Sequence, residues 1–201
     1  ARRDALPVGP DSFSTAILDA QPYKLRAVVT CGNPLLASAN TEKVKRAYAQ
    51  LEFYVYTGLF REESALYADV LLPVASGFET KGVYMRRDDR AIRWQEAAVP
   101  RVGESRTDWE IWIGLAHAMA RHDKKNPPEY WTRHFPLAWN DYSNLWAEFS
   151  TRTPGVGGMT EARMKKRDEP LRWPCPAADH PGTSTLYLDH PRWYAAAAAL
   201  G

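Results

Sequence analysis

Short apolar runs alternate with helical patterns in the first third of the chain. Residues 25–29 form a nearly continuous apolar run, which is typical of a strand buried on both faces of a parallel sheet. Residues 53–56 form the next strand, and the helix between the two begins at Asn40 or Thr41 as its cap. The apolar positions of that helix are Val44, Ala47, Tyr48 and Leu51. This order predicts a right-handed βαβ unit, whose ligands bind beyond the carboxyl ends of the strands.

Two further helices flank this unit. Asp11 or Ser12 caps a short helix near the N-terminus, which ends before Pro22. Its apolar positions are Phe13, Ala16, Ile17 and Ala20. Thr107 and Glu110 form a capping box, in which each side chain bonds a backbone N–H at the start of a longer helix. The apolar face of that helix, predicted to cover the sheet, consists of Ile111, Trp112, Leu115, Ala118 and Met119.

The composition changes at about residue 124, where Pro, Trp and Tyr replace the aliphatic runs. One more short helix is predicted there, and the glycine-rich residues 154–158 break the chain after it. The apolar residues of that helix are Leu145, Trp146 and Phe149. Residues 173–182 are predicted to be an extended connection, because prolines recur through them.

Composition and charge exclude some classes of function. The chain has 201 residues, 45% of them apolar, which is enough for one substantial domain with a core. A net charge of +2 argues against a general nucleic-acid-binding protein, which would carry a concentrated basic face. No apolar run approaches membrane-spanning length, and the first residues lack the hydrophobic part of a secretion signal. The sequence therefore predicts no nucleic-acid partner and no direct insertion into a membrane.

Neither the cysteines nor the histidines form a recognisable metal or catalytic motif. Cys31 and Cys175 lie beside Gly, Asn and Pro residues, which indicates turns instead of the spacing of metal ligands. The five histidines are not arranged with carboxylates as catalytic pairs. We therefore assign no catalytic residue and no metal ligand to this chain.

Two turns follow the predicted strands, and the βαβ geometry brings them to one edge of the sheet. The turn residues are Cys31, Gly32, Asn33 and Pro34 after the first strand, and Thr57, Gly58 and Leu59 after the second. A phosphate or ribose can approach closely where Gly32 and Gly58 lack a Cβ, while Asn33 and backbone N–H groups supply donors and acceptors. Ordinary strand-to-loop turns explain the same residues, because the full glycine fingerprint of dinucleotide-binding folds is absent.

Two charged side chains are further candidates for binding a nucleotide. Asp69 stands at the start of a third strand, and its carboxylate can accept from N1–H and the exocyclic amine of guanine. The alternative for Asp69 is a contact to nearby backbone. Arg90 can reach a pyrophosphate or a pterin with its fork of donors. The alternative for Arg90 is that the mixed charges of residues 86–93 pair with one another.

Several of these residues stand in a pattern that resembles the third domain of the molybdopterin oxidoreductases of the dimethyl sulfoxide reductase family. In that family a Gly-Asn-Pro turn follows the first strand, and an Ala-Asp-Val-x-Leu-Pro segment recurs farther on. The matching positions are Gly32–Pro34, Ala68–Pro73, Glu79, Gly82, Thr107–Ile111, Trp173–Pro176 and Gly182–Thr183. The resemblance covers roughly residues 12–190. The chain departs from the pattern at Gly58, where many members carry an Asp, so only a backbone contact is expected there.

The resemblance implies an α/β fold, Rossmann-like and three-layered with a mostly parallel sheet, followed by an irregular connection rich in Pro and Trp. Composition divides the chain into an N-terminal segment over residues 1–24, an α/β part over 25–123 and an irregular extension over 124–201. The resemblance implies that the middle part is a dinucleotide-binding domain and that the extension leads toward a C-terminal barrel. Family members are several times longer, so the chain is expected to be a fragment.

The resemblance also implies a cofactor, molybdopterin guanine dinucleotide with Mo or W. The residues expected to bind it are Cys31, Gly32, Asn33, Pro34, Thr57, Gly58, Leu59, Asp69 and Arg90. An iron-sulfur cluster and the ligand of the metal are expected in the rest of the protein. The implied reaction is two-electron transfer between a small oxyanion, of the formate or nitrate type, and iron-sulfur centres, and the chain alone is expected to be inactive.

The implied partners are the remaining domains of the parent oxidoreductase and an electron-transfer subunit or carrier. The expected location is the cytoplasm, or the periplasm if an export signal precedes the first residue. Two other functions stay open. One is a non-catalytic scaffold related to the large subunit of NADH dehydrogenase, and the other is an independent nucleotide-binding module.

Overall fold

The structure is a computed structural model that describes residues 10–86 and 88–183. The contacts of the chain divide it into two compact units, which are described separately. The first unit is Ala1–Ser76 with Arg101–Asp108, and the second is Gly77–Pro100 with Trp109–Gly201. The division into three parts at residues 24 and 123 stays a prediction.

The described helices and strands follow the chain in this order. The helices are α1 (Pro10–Leu18), α2 (Thr41–Tyr48), α3 (Asp108–His122), α4 (Pro128–Thr132), α5 (Tyr142–Arg152) and α6 (Glu161–Lys165). The strands are β1 (Ala27–Cys31), β2 (Phe53–Gly58), β3 (Val70–Pro73), β4 (Gly82–Met85), β5 (Ala91–Gln95) and β6 (Leu171–Arg172). Short 3-10 helices cover Glu63–Tyr67, Gly77–Glu79 and Leu137–Asn140.

The first unit contains a parallel sheet with the strand order β1-β2-β3. Cys31 pairs with Thr57, and Gly58 pairs with Pro73, so all three strands end at the same level. The predicted α/β fold with a parallel sheet is confirmed. The prediction that β1 is buried on both faces is wrong, because β1 is an outer strand of the described sheet and its residues are half-buried or exposed. The central strand β2 is the buried one.

Helices α1 and α2 contact each other, and a hydrophobic cluster joins them to β2. Asn40 caps α2 as predicted, since its Oδ1 accepts from the Lys43 N–H at 3.1 Å. The rings of Tyr48 and Tyr54 lie 4.8 Å apart, and the Tyr54 hydroxyl hydrogen-bonds Thr30 Oγ1 at 2.7 Å. The buried members of this cluster are Ile17, Leu35, Val44, Ala47, Tyr48, Tyr54, Tyr56 and Ala65.

The chain returns to the first unit after residue 100 and continues the end of β3. Val74 and Arg106 form an isolated parallel bridge. The Arg106 N–H donates to Pro73 O at 3.1 Å, and the Ala75 N–H donates to Arg106 O at 2.9 Å. Residues 101–108 are therefore part of the hydrogen bonding of the first unit, although 24 residues of the second unit separate them from Ser76 in the sequence.

The second unit contains an antiparallel sheet, with the order β4-β5-β6, that the sequence analysis did not predict. One face of this sheet packs against α5 and α6. The Trp146 indole is buried there and donates to Met159 O at 2.7 Å. The buried residues of this cluster are Ile92, Trp146, Val156, Met159, Met164, Leu171 and Cys175.

Helix α3 begins at Asp108, directly after the predicted cap Thr107, but its buried face differs from the prediction. The buried residues are Ile113 and Ala116, which were not in the predicted face. Trp112, Leu115 and Met119, which were, are each more than a third exposed. The helix has apolar residues nearly all round, so their spacing did not single out one face.

Residues 124–183 contain three α-helices and one short 3-10 helix, whereas the sequence analysis predicted one helix. The predicted helix is α5, and Trp146 is buried in it as expected. The two that were missed, α4 and α6, have five residues each and begin after Pro127 and Thr160. Residues 173–183 lack helix and strand, as the prolines predicted. None of the helices in the described ranges is long and apolar enough to cross a bilayer.

Asp123 closes the loop between α3 and α4. Its carboxylate accepts from Asn126 Nδ2 at 2.8 Å, from the Lys125 N–H at 2.8 Å and from Trp131 Nε1 at 2.9 Å. These hydrogen bonds, the one from the Asn126 side chain first, lower the pKa of Asp123 to about 2.

Candidate functional site

The carboxyl ends of β1, β2 and β3 form one edge of the parallel sheet, which we call the carboxyl edge. The Gly32 N–H donates to Thr57 O at 2.8 Å, so the turns after β1 and β2 lie side by side. The structure therefore brings together the predicted residues 31–34 and 57–59. In open parallel sheets this edge is where ligands bind.

Gly32 is a glycine because of its backbone conformation. Its φ is +75°, a left-handed value that residues with a Cβ rarely adopt. A Cβ placed there would meet no atom within 4 Å, so the space beside Gly32 is open. The N–H of Gly32 already donates to Thr57 O and is not free to bind a ligand. Gly32 therefore contributes open space to a ligand site.

Asn33 is held in place by Ser64, which is fully buried. The Ser64 hydroxyl donates to Asn33 Oδ1 and accepts from the Leu35 N–H at 3.2 Å. This arrangement fixes the orientation of the Asn33 amide. Its Nδ2 has no acceptor among the described residues, so both of its N–H donors are available at the carboxyl edge.

Thr57 carries an unusual group for a protein interior. The residue is 1% exposed, and its Oγ1 has no hydrogen-bond partner in the part of the chain that the structure describes. A buried hydroxyl without a partner costs about 1–3 kcal/mol, and such groups are rare in folded proteins. Beside Thr57 in the sheet stands the exposed thiol of Cys31, and two residues after it Leu59 is 54% exposed.

The ring of Tyr56 lies directly over Gly58. A Cβ on Gly58 would be 2.5 Å from Tyr56 Oη and 2.7 Å from Cε1, so a side chain at this position would require the Tyr56 ring to move. The Tyr56 hydroxyl donates toward Phe60 O at 3.0 Å and Glu62 Oε2 at 3.1 Å. Burial, and then the hydrogen bond with Glu62, raise the pKa of Tyr56 to about 12, so the hydroxyl keeps its proton at neutral pH.

Asp69 lies at the other end of the sheet. Its Oδ2 accepts from the Tyr54 N–H at 2.7 Å, and its own N–H donates to Tyr54 O at 2.9 Å. Tyr54 precedes Gly58 by four residues of β2, which corresponds to about 13 Å along the strand. The structure therefore does not bring Asp69 to the carboxyl edge, and its carboxylate makes the backbone contact that was the alternative interpretation.

Arg90 belongs to the second unit and contacts the Pro-rich segment. Its backbone O accepts from the Trp173 N–H at 3.0 Å, and its guanidinium lies 5.9 Å from the centre of the Trp173 ring. Its Nε is buried without a partner among the described residues. Arg86 forms a two-point ion pair with Asp88, at 2.7 and 3.2 Å, as the mixed charges of this loop indicated.

Sequence reasoning missed three residues of the carboxyl edge: Tyr56, Glu62 and Ser64. A sequence signal existed for Glu62 alone, as a carboxylate four residues after Gly58 in the same loop. Within residues 10–86 and 88–183, no three side chains of His, Cys, Asp or Glu come together as a metal site. The Thr57 hydroxyl and the Asn33 amide are the groups with which this edge can hydrogen-bond a polar ligand.

Comparison with known proteins identifies the family. The model of the molybdopterin oxidoreductase family matches residues 3–118, which include the whole parallel sheet and its carboxyl edge. The chain belongs to the molybdopterin oxidoreductase family, as the sequence motifs predicted.

Two curated relatives are a nitrate reductase and a formate dehydrogenase. The chain is 32% identical to the assimilatory nitrate reductase catalytic subunit of Bacillus subtilis over 177 residues, which are 85% of the chain and 23% of that protein. It is 27% identical to formate dehydrogenase H of Escherichia coli over 166 residues, 82% of the chain and 21% of that protein. The chain thus spans less than a quarter of the length of either relative.

A solved structure supports the fold. Acetylene hydratase from Pelobacter acetylenicus superimposes with a TM-score of 0.52 at 20% sequence identity, over 69% of this chain and 20% of that one. At this identity the likeness concerns the fold alone.

Proposed function

We propose that this chain holds the nucleotide end of a molybdopterin guanine dinucleotide in a molybdenum or tungsten oxidoreductase. The buried hydroxyl of Thr57 is the observation that carries this proposal. It lies at the carboxyl edge of the parallel sheet, inside the segment that matches the family. A bound dinucleotide would give this hydroxyl the hydrogen-bond partner that the described chain lacks.

The other residues of the edge fit the polar part of such a cofactor. Asn33 offers two oriented N–H donors, which suit phosphate or ribose oxygens. The open space beside Gly32 lets those oxygens approach the backbone. Cys31, Pro34 and Leu59 complete the surface of the two turns. Arg90, in the second unit, is a separate candidate for binding a phosphate or the pterin through its guanidinium N–H groups.

The cofactor supplies the redox chemistry, and the protein supplies binding and orientation. The proposed reaction of the whole protein is two-electron transfer between a small oxyanion, of the nitrate or formate type, and iron-sulfur centres. The names of two relatives, a nitrate reductase and a formate dehydrogenase, support the oxyanion part of this proposal. The iron-sulfur centres are what the family resemblance implies. The proposed partners are the other parts of the oxidoreductase and an electron carrier or electron-transfer subunit.

Thr57→Val in the full-length protein tests this proposal. Valine has the same shape but lacks the hydroxyl, so without cofactor the variant should be more stable by about 1 kcal/mol, because an unsatisfied buried group is removed. With cofactor it should lose a hydrogen bond and release the dinucleotide more readily. The measurements are urea unfolding of cofactor-free protein, and the pterin and GMP released by acid from purified protein.

Thr30→Val is the matched control in the neighbouring strand. The Thr30 hydroxyl already bonds Tyr54, so its removal should lower the stability and leave the cofactor content unchanged. Equal pterin and GMP in wild-type protein and Thr57→Val would refute the placement of the cofactor at Thr57. Wild-type protein that contains no pterin would refute the proposed function and favour the non-catalytic scaffold.

A further inference from the structure

Of the two cysteines of the chain, Cys31 has an exposed thiol and Cys175 a buried one. Cys31 is the last residue of β1 and stands at the carboxyl edge. We propose that Cys31 is a modification site of the cofactor-free protein, at which a mixed disulfide with a small thiol such as glutathione excludes the dinucleotide. In the loaded protein the dinucleotide covers the thiol and prevents the modification. This inference rests on the proposed function.

The hydroxyl of Thr57 marks the surface beside Cys31 as a ligand site. Cys31 and Thr57 are register partners in parallel strands that lie about 4.8 Å apart, so their side chains project from the same face of the sheet. Thr57 is 1% exposed, and its Oγ1 lacks a hydrogen-bond partner among the described residues. A ligand that bonds this hydroxyl therefore lies against the Cys31 side chain.

The space around the Cys31 thiol is open. Side chains alternate between the two faces of a sheet, so Cys31 and Thr57 lie on the face opposite to Tyr56. The rings of Tyr54 and Tyr56 belong to the hydrophobic cluster that joins β2 to α1 and α2, so these helices do not cover the thiol. At the next residue, a Cβ on Gly32 would meet no atom within 4 Å. A tripeptide attached to Cys31 and a dinucleotide bonded to Thr57 would compete for this space, which makes the two mutually exclusive.

The modification is a thiol–disulfide exchange. The Cys31 sulfur, after losing its proton, attacks one sulfur of glutathione disulfide. A new S–S bond forms at Cys31 while the S–S bond of the reagent breaks, and the released glutathione takes up a proton. Glutathione disulfide is the oxidant, and an excess of reduced glutathione reverses the step. Cys175 is 0% exposed, so it should not react while the chain is folded.

Peptide mass spectrometry of the full-length protein tests the shielding of Cys31. The protein is prepared in its loaded form and, from cells that cannot make pterin, without cofactor, and both preparations are incubated with glutathione disulfide. Cys31 should be modified in every molecule of the cofactor-free protein, but in the loaded preparation only in the fraction that lacks GMP. Cys175 should stay unmodified in both. Equal modification of Cys31 in the two preparations, with GMP present in the loaded one, would overturn the inference and leave the proposed function intact.

Cys31→Trp tests the exclusion in the other direction, because the indole permanently fills the space that the adduct would occupy. The variant should be purified with about 10-fold less pterin and GMP than wild-type protein. Ala27→Trp is the matched control, because Ala27 is an exposed residue on the same face of β1, about 13 Å from the carboxyl edge. It should retain the wild-type GMP content.

Wild-type GMP content in Cys31→Trp would overturn the inference, because the dinucleotide would then not occupy the space beside Cys31. If Cys31→Trp unfolds at a lower temperature than wild-type protein, the comparison of adduct with GMP content in unsubstituted protein decides the question. Wild-type protein that contains neither pterin nor GMP would refute the proposed function, and the inference would fail with it.

Discussion

Gly158 has no room for a side chain, and Gly158→Ala tests the packing of the Pro-rich segment of the second unit. A Cβ at this position would lie 2.0 Å from Ala177 O and 2.8 Å from Cys175 Sγ. The first of these atoms belongs to the backbone, so it cannot rotate away as a side chain would. The substitution must displace residues 175–177 from residues 155–158.

The cost can be estimated from the bonds that this displacement breaks. Overpacking of a buried position costs about 1–3 kcal/mol. The Gly158 N–H also donates to Cys175 O at 2.8 Å, and losing such a bond costs about 1 kcal/mol. Arg163 bonds both Gly158 O at 3.0 Å and Ala177 O at 3.3 Å, so its guanidinium cannot keep both. We expect a loss of about 3 kcal/mol, or roughly 6–12 °C in Tm for a chain of this length.

Thermal unfolding followed by tryptophan fluorescence measures this loss. Trp146 is buried in the affected cluster, so its emission reports unfolding of the second unit. The matched control is Gly114→Ala in α3, where a Cβ would meet nothing within 4 Å. The same chemical change should there raise the stability by about 0.5–1 kcal/mol, because glycine is a poor residue for a helix interior. If Gly158→Ala melts within 2 °C of wild-type protein (~1 kcal/mol), the two segments are not in this close contact.

Three further predictions concern single side chains. Asp69→Ala should lower the free energy of unfolding in urea by about 1–2 kcal/mol, because the buried N–H of Tyr54 loses its acceptor. Asp69→Asn keeps an acceptor oxygen, so this variant should retain its GMP. Loss of GMP from Asp69→Asn would instead support a contact between Asp69 and guanine. Arg163→Lys should speed proteolysis within residues 173–183, because an ammonium cannot reach all the backbone oxygens that the guanidinium bonds. An unchanged rate of cleavage would show that these hydrogen bonds do not hold the segment in place. Asp123, whose pKa is lowered mainly by Asn126, stabilises the folded chain above its ordinary pKa of about 3.9, and this contribution is lost as the pH falls toward 2. Asp123→Asn should therefore unfold with a weaker dependence on pH between 5 and 2, and an equal dependence in both proteins would contradict the low pKa.

The parallel sheet was predictable because its signals are local. The apolar runs of β1 and β2 and the cap Asn40 each act within a few residues, and the βαβ rule then sets their arrangement. The antiparallel sheet carried a weaker signal. In β5 the buried Ile92 and the half-buried Trp94 alternate with the exposed Arg93, as in a strand with one face in the core. The charges that flank this pattern masked it, and β6, with two residues, has no pattern of its own.

The residues of the carboxyl edge were predictable only in part. Those in the turns follow from the ends of strands, which the sequence locates well. Asp69 stands at the start of β3 as predicted. Because parallel strands begin together as well as end together, that position lies at the opposite edge from the two turns, which the sequence analysis did not take into account. The contact of Tyr56 with Glu62 depends on the path of the loop between them, which no periodic pattern encodes.

The return of residues 101–108 to the first unit sets an order of events during synthesis. Val74 gains its partner Arg106 only after the ribosome has added 32 further residues, which takes about 2–6 s at ordinary rates of translation. The strands β4 and β5 of the second unit are made within that interval. The first unit therefore forms its last backbone hydrogen bonds after the hairpin of the second has been synthesised.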